Sequence, residues 1–124
     1  MKLKKGDIYL QKFLRLNPKN IFVYGVFKNN EGYLVLKNNE YLEFPGGLRK
    51  KNEDLFRAIR LRCLENGLII DSIKDLIKYE IFNNDLYAFF EIKINNLKNK
   101  NFFFSDLKEN NLGKSIKIFL KREF

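Results

Sequence analysis

The chain has 124 residues, of which 45% are apolar and 15% aromatic, and a formal net charge of +9. That is enough chain for one domain with a buried core, and no apolar run approaches the roughly 18 residues that a membrane-crossing helix needs. Histidine is absent and cysteine occurs once, which excludes His-based nucleophilic triads, His-ligated zinc, a thiolate metal cage and an internal disulfide.

The opening MKLKKGDIYLQKF is basic and alternates apolar with polar residues. A secretory leader needs an unbroken apolar stretch, so none is expected. A single cysteine, Cys63, fits a reducing compartment such as the cytoplasm, with no disulfide-linked partner. Two β-like runs follow, Ile21–Phe27 and Tyr33–Lys37, separated by Asn29-Asn30-Glu31-Gly32. They read as a hairpin. Tyr41–Phe44 reads as a further short strand. It leads into Pro45-Gly46-Gly47, where two glycines allow tight backbone geometry and close approach by a ligand.

A helix is predicted over about 52–66. Asn52 can cap it, and Glu53 and Asp54 suit the positive end of its dipole. Leu55, Ile59 and Cys63 recur at helical spacing with Phe56 beside them, one apolar stripe facing a core. Asn66-Gly67 is a C-terminal stop. Leu76–Phe82 and Leu86–Ile94 flank Asn83-Asn84-Asp85 and read as a second hairpin. Asn95–Asn101 reads as a loop. Phe102–Phe104 reads as a short buried strand, with a base-stacking platform as its functional alternative. A last helix is expected over about Leu112–Lys121, with Ile116, Phe119 and Leu120 facing inward. Strands and helices are mixed and antiparallel hairpins are prominent, so the fold class is α+β: a mixed sheet with a central helix and a C-terminal helix, in a single domain spanning 1–124.

The stretch EFPGGLRKKNEDLFRAIRLRCLENGL, Glu43 to Leu68, carries the chemistry. Gly47, five residues, Glu53, then a helix ending at Glu65-Asn66-Gly67-Leu68, resembles the Nudix box. The lead-in Leu42-Glu43-Phe44-Pro45-Gly46-Gly47 and the Ser105-Asp106-Leu107 turn near the end are similar to that family too. The resemblance covers Ile8 to Phe124 and implies a Nudix-like α/β/α sandwich. It also implies a box helix with three acidic residues on one face that hold magnesium or manganese against a pyrophosphate. A hard divalent ion wants several anionic oxygens, so three carboxylates meet a physical need.

This sequence departs from that pattern. With Gly47 and Glu53 in register, the carboxylate positions fall on Arg62, Glu65 and Asn66, and Gly67 arrives one residue early. If the missing residue lies inside the helix, Arg60 takes the family arginine, and the positions fall on Leu61, Leu64 and Glu65. Either register leaves only Glu65. The first keeps Ala58, Ile59 and Cys63 on the buried face. Arg62 and Glu65 stand three apart, so they can pair on one helix face.

A set made of Arg62, Glu65 and Asn66 is close to neutral, which disfavours a metal. The expected function is therefore a non-catalytic protein that binds a nucleotide, phosphate or RNA, including RNA of a ribosome-like assembly. Candidate ligand-binding residues are Glu43, Gly46, Gly47, Arg49, Lys50, Lys51, Arg62 and Asn66. No cofactor is expected. The alternative is an active hydrolase of nucleoside diphosphate derivatives. In that case magnesium or manganese would be held by Glu65 and the Gly47 carbonyl, with Glu65 and Glu53 catalytic. A third reading is an interaction subunit with a vestigial pocket. Arg49, Arg57, Arg60 and Arg62 gather in this stretch, and Lys114, Lys117, Lys121 and Arg122 form a basic stripe on the last helix. Both suit phosphates, although over-use of Lys and Asn across the chain gives the net charge a plainer compositional origin.

Overall fold

The strand Asp85–Ile94 is the axis of the molecule. In the computed structural model, which describes residues 4–95, 97 and 100–121, the elements run in order. They are α1 (Lys5–Leu14), β1 (Asn20–Val26), β2 (Lys28–Asn29), β3 (Gly32–Asn38), β4 (Tyr41–Glu43), β5 (Gly46–Leu48), α2 (Leu55–Glu65), β6 (Ile70–Phe82), β7 (Asp85–Ile94), β8 (Phe102–Ser105) and α3 (Lys114–Leu120).

One sheet has the order β5-β1-β7-β6, with β1 and β7 parallel and the other pairs antiparallel. A second, antiparallel sheet joins β2, β3 and β4, with β8 also on β3. Leu86 to Phe90 are buried without a break. Such a run marks a strand covered on both faces. Leu86, Ala88, Phe90 and Ile92 share a core with Phe13 of α1 and with Leu55, Ala58, Ile59 and Cys63 of α2. Tyr87 and Phe89 share the opposite core with Tyr24, Phe44, Ile116 and Ile118. Helices therefore cover the mixed sheet on both sides, and the α+β sandwich read from the sequence is present.

Several local expectations change. The run Ile21–Phe27 does not form a hairpin with Tyr33–Lys37. The Asn29–Gly32 turn joins β3 only to the short β2, while β1 lies in the other sheet, parallel to β7. The chain changes sheets at Phe27, whose carbonyl accepts from Leu34 N at 2.8 Å. Pro45-Gly46-Gly47 is no open loop, because Gly46 and Gly47 pair with Tyr24 and Val23 of β1. The N-terminal stretch, for which no element was expected, is a helix from Lys5. The central helix begins at Leu55 rather than at Asn52 or Glu53, and the last helix spans Lys114–Leu120. Asn52 takes a left-handed φ of 72°, and Asp54 is the cap, accepting from Arg57 N at 2.8 Å. Asn17, Asn39, Asn83 and Asn84 also take positive φ. Part of the asparagine excess thus has a conformational use, since asparagine tolerates the left-handed region.

Phe102 is buried as expected, but Phe103 is 38% exposed. Ile116 faces inward, while Phe119 and Leu120 are half-buried. Residues 1–3 of the opening stretch, 96, 98 and 99 of the Asn95–Asn101 loop, and Arg122 lie outside the described residues.

Candidate functional site

β5 reaches α2 through a short loop, and that loop is where the box residues meet. Gly46 has φ 140°, and a Cβ there would stand 2.1 Å from the Val23 carbonyl oxygen. Only glycine lets β5 lie this close to β1. Gly47, at φ 153°, instead faces the stem of Arg62, and a Cβ there would meet Arg62 Cγ at 3.6 Å. Pro45 O accepts from Gly25 N at 2.8 Å and Ile21 O from Arg49 N at 2.9 Å, so strand pairing holds both ends of β5.

The loop after β5 is closed by Glu53. Its carboxylate Oε1 accepts from Lys50 N at 2.8 Å, and its carbonyl accepts from Arg49 Nε at 2.7 Å. Glu53 is only 9% exposed. Its counter-charge is Arg62, two turns into α2 and 7% exposed. Arg62 Nη2 donates to Glu53 Oε2 at 3.1 Å and Nη1 to Glu53 Oε1 at 3.4 Å. Arg62 Nη1 also donates to the Leu48 carbonyl at 3.1 Å. The expected pairing with Glu65 is present as well: Arg62 Nε lies 3.2 Å from Glu65 Oε1, close enough for ion pairing but not aligned as a hydrogen bond. Glu65 is the exposed member, with 56% of its side chain in contact with solvent.

This arrangement changes the part Arg62 can take. The sequence offered it as a candidate ligand-binding residue whose guanidinium fork suits phosphates. In the structure the fork is already closed on Glu53, so the guanidinium is a strut between loop and helix. Asn66 Nδ2 donates back to Arg62 O at 3.1 Å, tying the last turn of α2. Glu43 is also engaged, at the other core. Its Oε1 accepts from Ser115 Oγ at 2.8 Å and Ser115 N at 3.1 Å, and Ser115 Oγ accepts from Phe44 N at 3.1 Å. Burial pushes the nearby Tyr24 hydroxyl well above its ordinary pKa, with Glu43 and Tyr87 adding to the shift. Burial likewise pushes the Cys63 thiol up to about 12, as suits an inert core residue.

Beside the C-terminal end of α2 lies an open polar cleft of about 530 Å³. Glu65 and Asn66 line it together with Lys37, Asn38 and Asn101. Lys37, Asn38 and Asn101 were not anticipated, because nothing in a linear pattern ties β3 or the segment before β8 to the end of α2. Lys50 and Lys51 are exposed and Arg49 half-buried. Arg60 Nη1 donates to the Ile70 carbonyl at 2.9 Å, and Arg57 is exposed. The basic stripe on α3 is partly engaged: Lys114 Nζ sits over the rings of Phe82 and Tyr87, and Lys121 Nζ is 3.3 Å from Glu80.

Among the described residues no group of three or more acidic or cysteine side chains is placed to hold a metal ion. Glu53 closes its loop, Glu43 docks on Ser115, and Glu65 faces Arg62. The three-carboxylate magnesium or manganese cage implied by the resemblance does not fit the residues present.

No protein-family model matches the sequence, and no curated protein matches it. Its fold does match solved structures. A protein assigned to the nudix hydrolase family from Chromobacterium violaceum matches with a TM-score of 0.67 at 16% identity, over 82% of this chain and 75% of that one. A NUDIX hydrolase from Nitrosomonas europaea matches with a TM-score of 0.64 at 17% identity, over 80% of this chain and 65% of that one. An ADP-ribose pyrophosphatase from Streptococcus suis matches with a TM-score of 0.57 at 12% identity, over 69% and 73%. At such identities the likeness is one of fold, and the fold is that of the Nudix hydrolases.

Proposed function

We propose that this chain is a Nudix-fold protein that does not hydrolyse its ligand and instead binds a phosphate-bearing molecule, a nucleotide or an RNA segment, including RNA within a ribosome-like assembly. The observation that carries this reading is the engagement of Arg62 with Glu53, Glu65 and Leu48 O. In the register that keeps Gly47 and Glu53 in place, a cationic side chain stands where the box pattern asks for an acidic one, and Glu53 and Glu65 pair with it. Metal-assisted hydrolysis needs the opposite balance: a concentration of anionic oxygens that gathers a divalent ion and presents it to the diphosphate.

Recognition then falls to cations that remain at the surface. Lys50 and Lys51 project from the loop ahead of α2, and Lys37 lines the cleft with amide side chains beside it. The cleft volume of about 530 Å³ lies within the ~300–1,000 Å³ usual for small-molecule sites. Lysine charges on flexible stems attract phosphates without fixing their geometry, which suits a polyanion better than one tightly specified small molecule.

The test is filter binding of short RNA and of a nucleotide panel at low and high salt, run beside chromatography of the nucleotides after incubation with magnesium or manganese. Retention at low salt, loss at high salt and intact nucleotides are expected. The change Lys50→Glu with Lys51→Glu should weaken retention. Metal-dependent cleavage of a nucleoside diphosphate derivative to its two phosphomonoesters would refute the reading.

A further inference from the structure

The start of α1 lies against the start of α2, on a side of that helix turned away from the box. A Cβ added to Gly6 would stand 3.0 Å from Asp54 Oδ1 and 3.3 Å from the Phe56 backbone nitrogen. Beside this contact is a cavity of about 460 Å³, lined by Lys4, Lys5, Asp54, Phe56, Arg57 and Arg60 among others. Arg57 and Arg62 are five residues apart, about 140° around a regular helix. The cavity and the Arg62–Glu53 pair therefore use different sides of α2.

Four cations line the cavity against one carboxylate. Asp54 is committed to capping α2, accepting from Arg57 N at 2.8 Å. Lys5 pairs with Asp75. Arg60 gives one donor to the Ile70 carbonyl and is otherwise exposed. Among the described residues the Lys4 ammonium and the Arg57 guanidinium have no hydrogen-bond or ion-pair partner, and both residues are exposed. Counting Asp75, the lining carries a net charge of +2. Phe56 is half-buried, held edge-on to Phe90 with ring centroids 5.4 Å apart, and adds an aromatic wall. Lys51 stands three residues ahead of Asp54, within about 11 Å along the backbone. The exposed pair Lys50 and Lys51 thus continues the same basic strip around the start of α2.

We propose that the cavity between α1 and α2 binds single-stranded RNA, which crosses the start of α2 with phosphates on Lys4, Arg57 and the Lys50–Lys51 loop and a base against Phe56. A free nucleotide meets only one of these cation groups, whereas a chain of phosphates meets both. Guanidinium forks take phosphate oxygens or stack on an unpaired base, and an aromatic wall beside cations suits a base with a free face. An acidic peptide would answer the charge but leave the aromatic surface unused. The inference rests on the proposed function and narrows it to RNA and to this side of the molecule.

The test is fluorescence anisotropy of a labelled single-stranded RNA of about ten nucleotides with the natural chain, between about 50 and 200 mM salt. Lys4→Gln with Arg57→Gln removes two charges that have no partner among the described residues, so the melting temperature should hold. Binding should weaken about tenfold at the lower salt, and the salt slope should become shallower by about 1.4, or ~0.7 for each lost phosphate contact. The control is Lys28→Gln with Lys93→Gln, an equal loss of charge at a separate cavity beside Phe119. It should change the affinity less than about twofold. The proposal is overturned if the two double variants weaken binding alike, or if the first leaves affinity and slope unchanged. It is also overturned if an oligoglutamate of the same length displaces the labelled RNA as well as unlabelled RNA does. RNA that binds but ignores Lys4 and Arg57, or nucleotides that bind where RNA does not, would remove this site and leave the proposed function standing. A chain that holds neither RNA nor any nucleotide would remove both.

Discussion

Arg62 grips Glu53 by both carboxylate oxygens across the loop that joins β5 to α2, at 3.1 and 3.4 Å. Both side chains are about nine-tenths withdrawn from solvent. A buried pair of this kind contributes little over an apolar substitute, yet removing one partner strands the other. The pair therefore acts as a latch on the loop, and its loss should be felt far more than that of a surface ion pair.

Arg62→Ala and Glu53→Gln should each lower stability by about 3 kcal/mol in urea unfolding. The double variant should cost markedly less than the sum of the two, because both single changes break the same contact. Glu65→Gln, at the exposed end of the cluster, should cost less than about 1 kcal/mol. Equal effects at Glu53 and Glu65 would show that the latch does not hold the loop.

Ser115 joins the second core to the strand that carries the box. Replacing it with alanine leaves the buried Phe44 N–H without its acceptor and takes one donor from Glu43. A loss of about 2 kcal/mol is expected, measured by thermal or urea unfolding. An unchanged midpoint would mean that the contact carries no weight.

The two box glycines should respond differently to alanine. At Gly46 the added Cβ meets the Val23 carbonyl oxygen at 2.1 Å, so β5 must part from β1. At Gly47 the nearest contact is an ordinary 3.6 Å, and only the positive φ opposes the change. Gly46→Ala should therefore destabilise by about 3 kcal/mol and Gly47→Ala by about 1 kcal/mol. The reverse order in equilibrium unfolding would contradict the strand assignment.

What was legible in the sequence was whatever repeats along one element. The stripe Leu55, Ile59 and Cys63 is wholly buried, and so is the unbroken run of β7. The first helix was hidden because its apolar side is thin: Phe13 is buried, while Ile8 and Leu14 are half exposed. The partner of β1 was hidden because alternation marks a strand without naming its neighbour. The pairing of Arg62 with Glu65 was readable, since both lie on α2. The pairing with Glu53 was not, because Glu53 precedes the helix and no helical spacing links them. Glu43 and Ser115 stand 72 positions apart, beyond the reach of any local pattern.

The central claim is that this box is held by a side-chain cation and gathers no metal for hydrolysis. Calorimetric titration of the natural chain with manganese, in the presence of a nucleoside diphosphate derivative and with the phosphomonoester products followed by chromatography, tests it most directly. The account predicts no stoichiometric manganese binding at the box and no manganese-dependent product. One tightly bound manganese per chain, with product accumulating only when it is present, would contradict it.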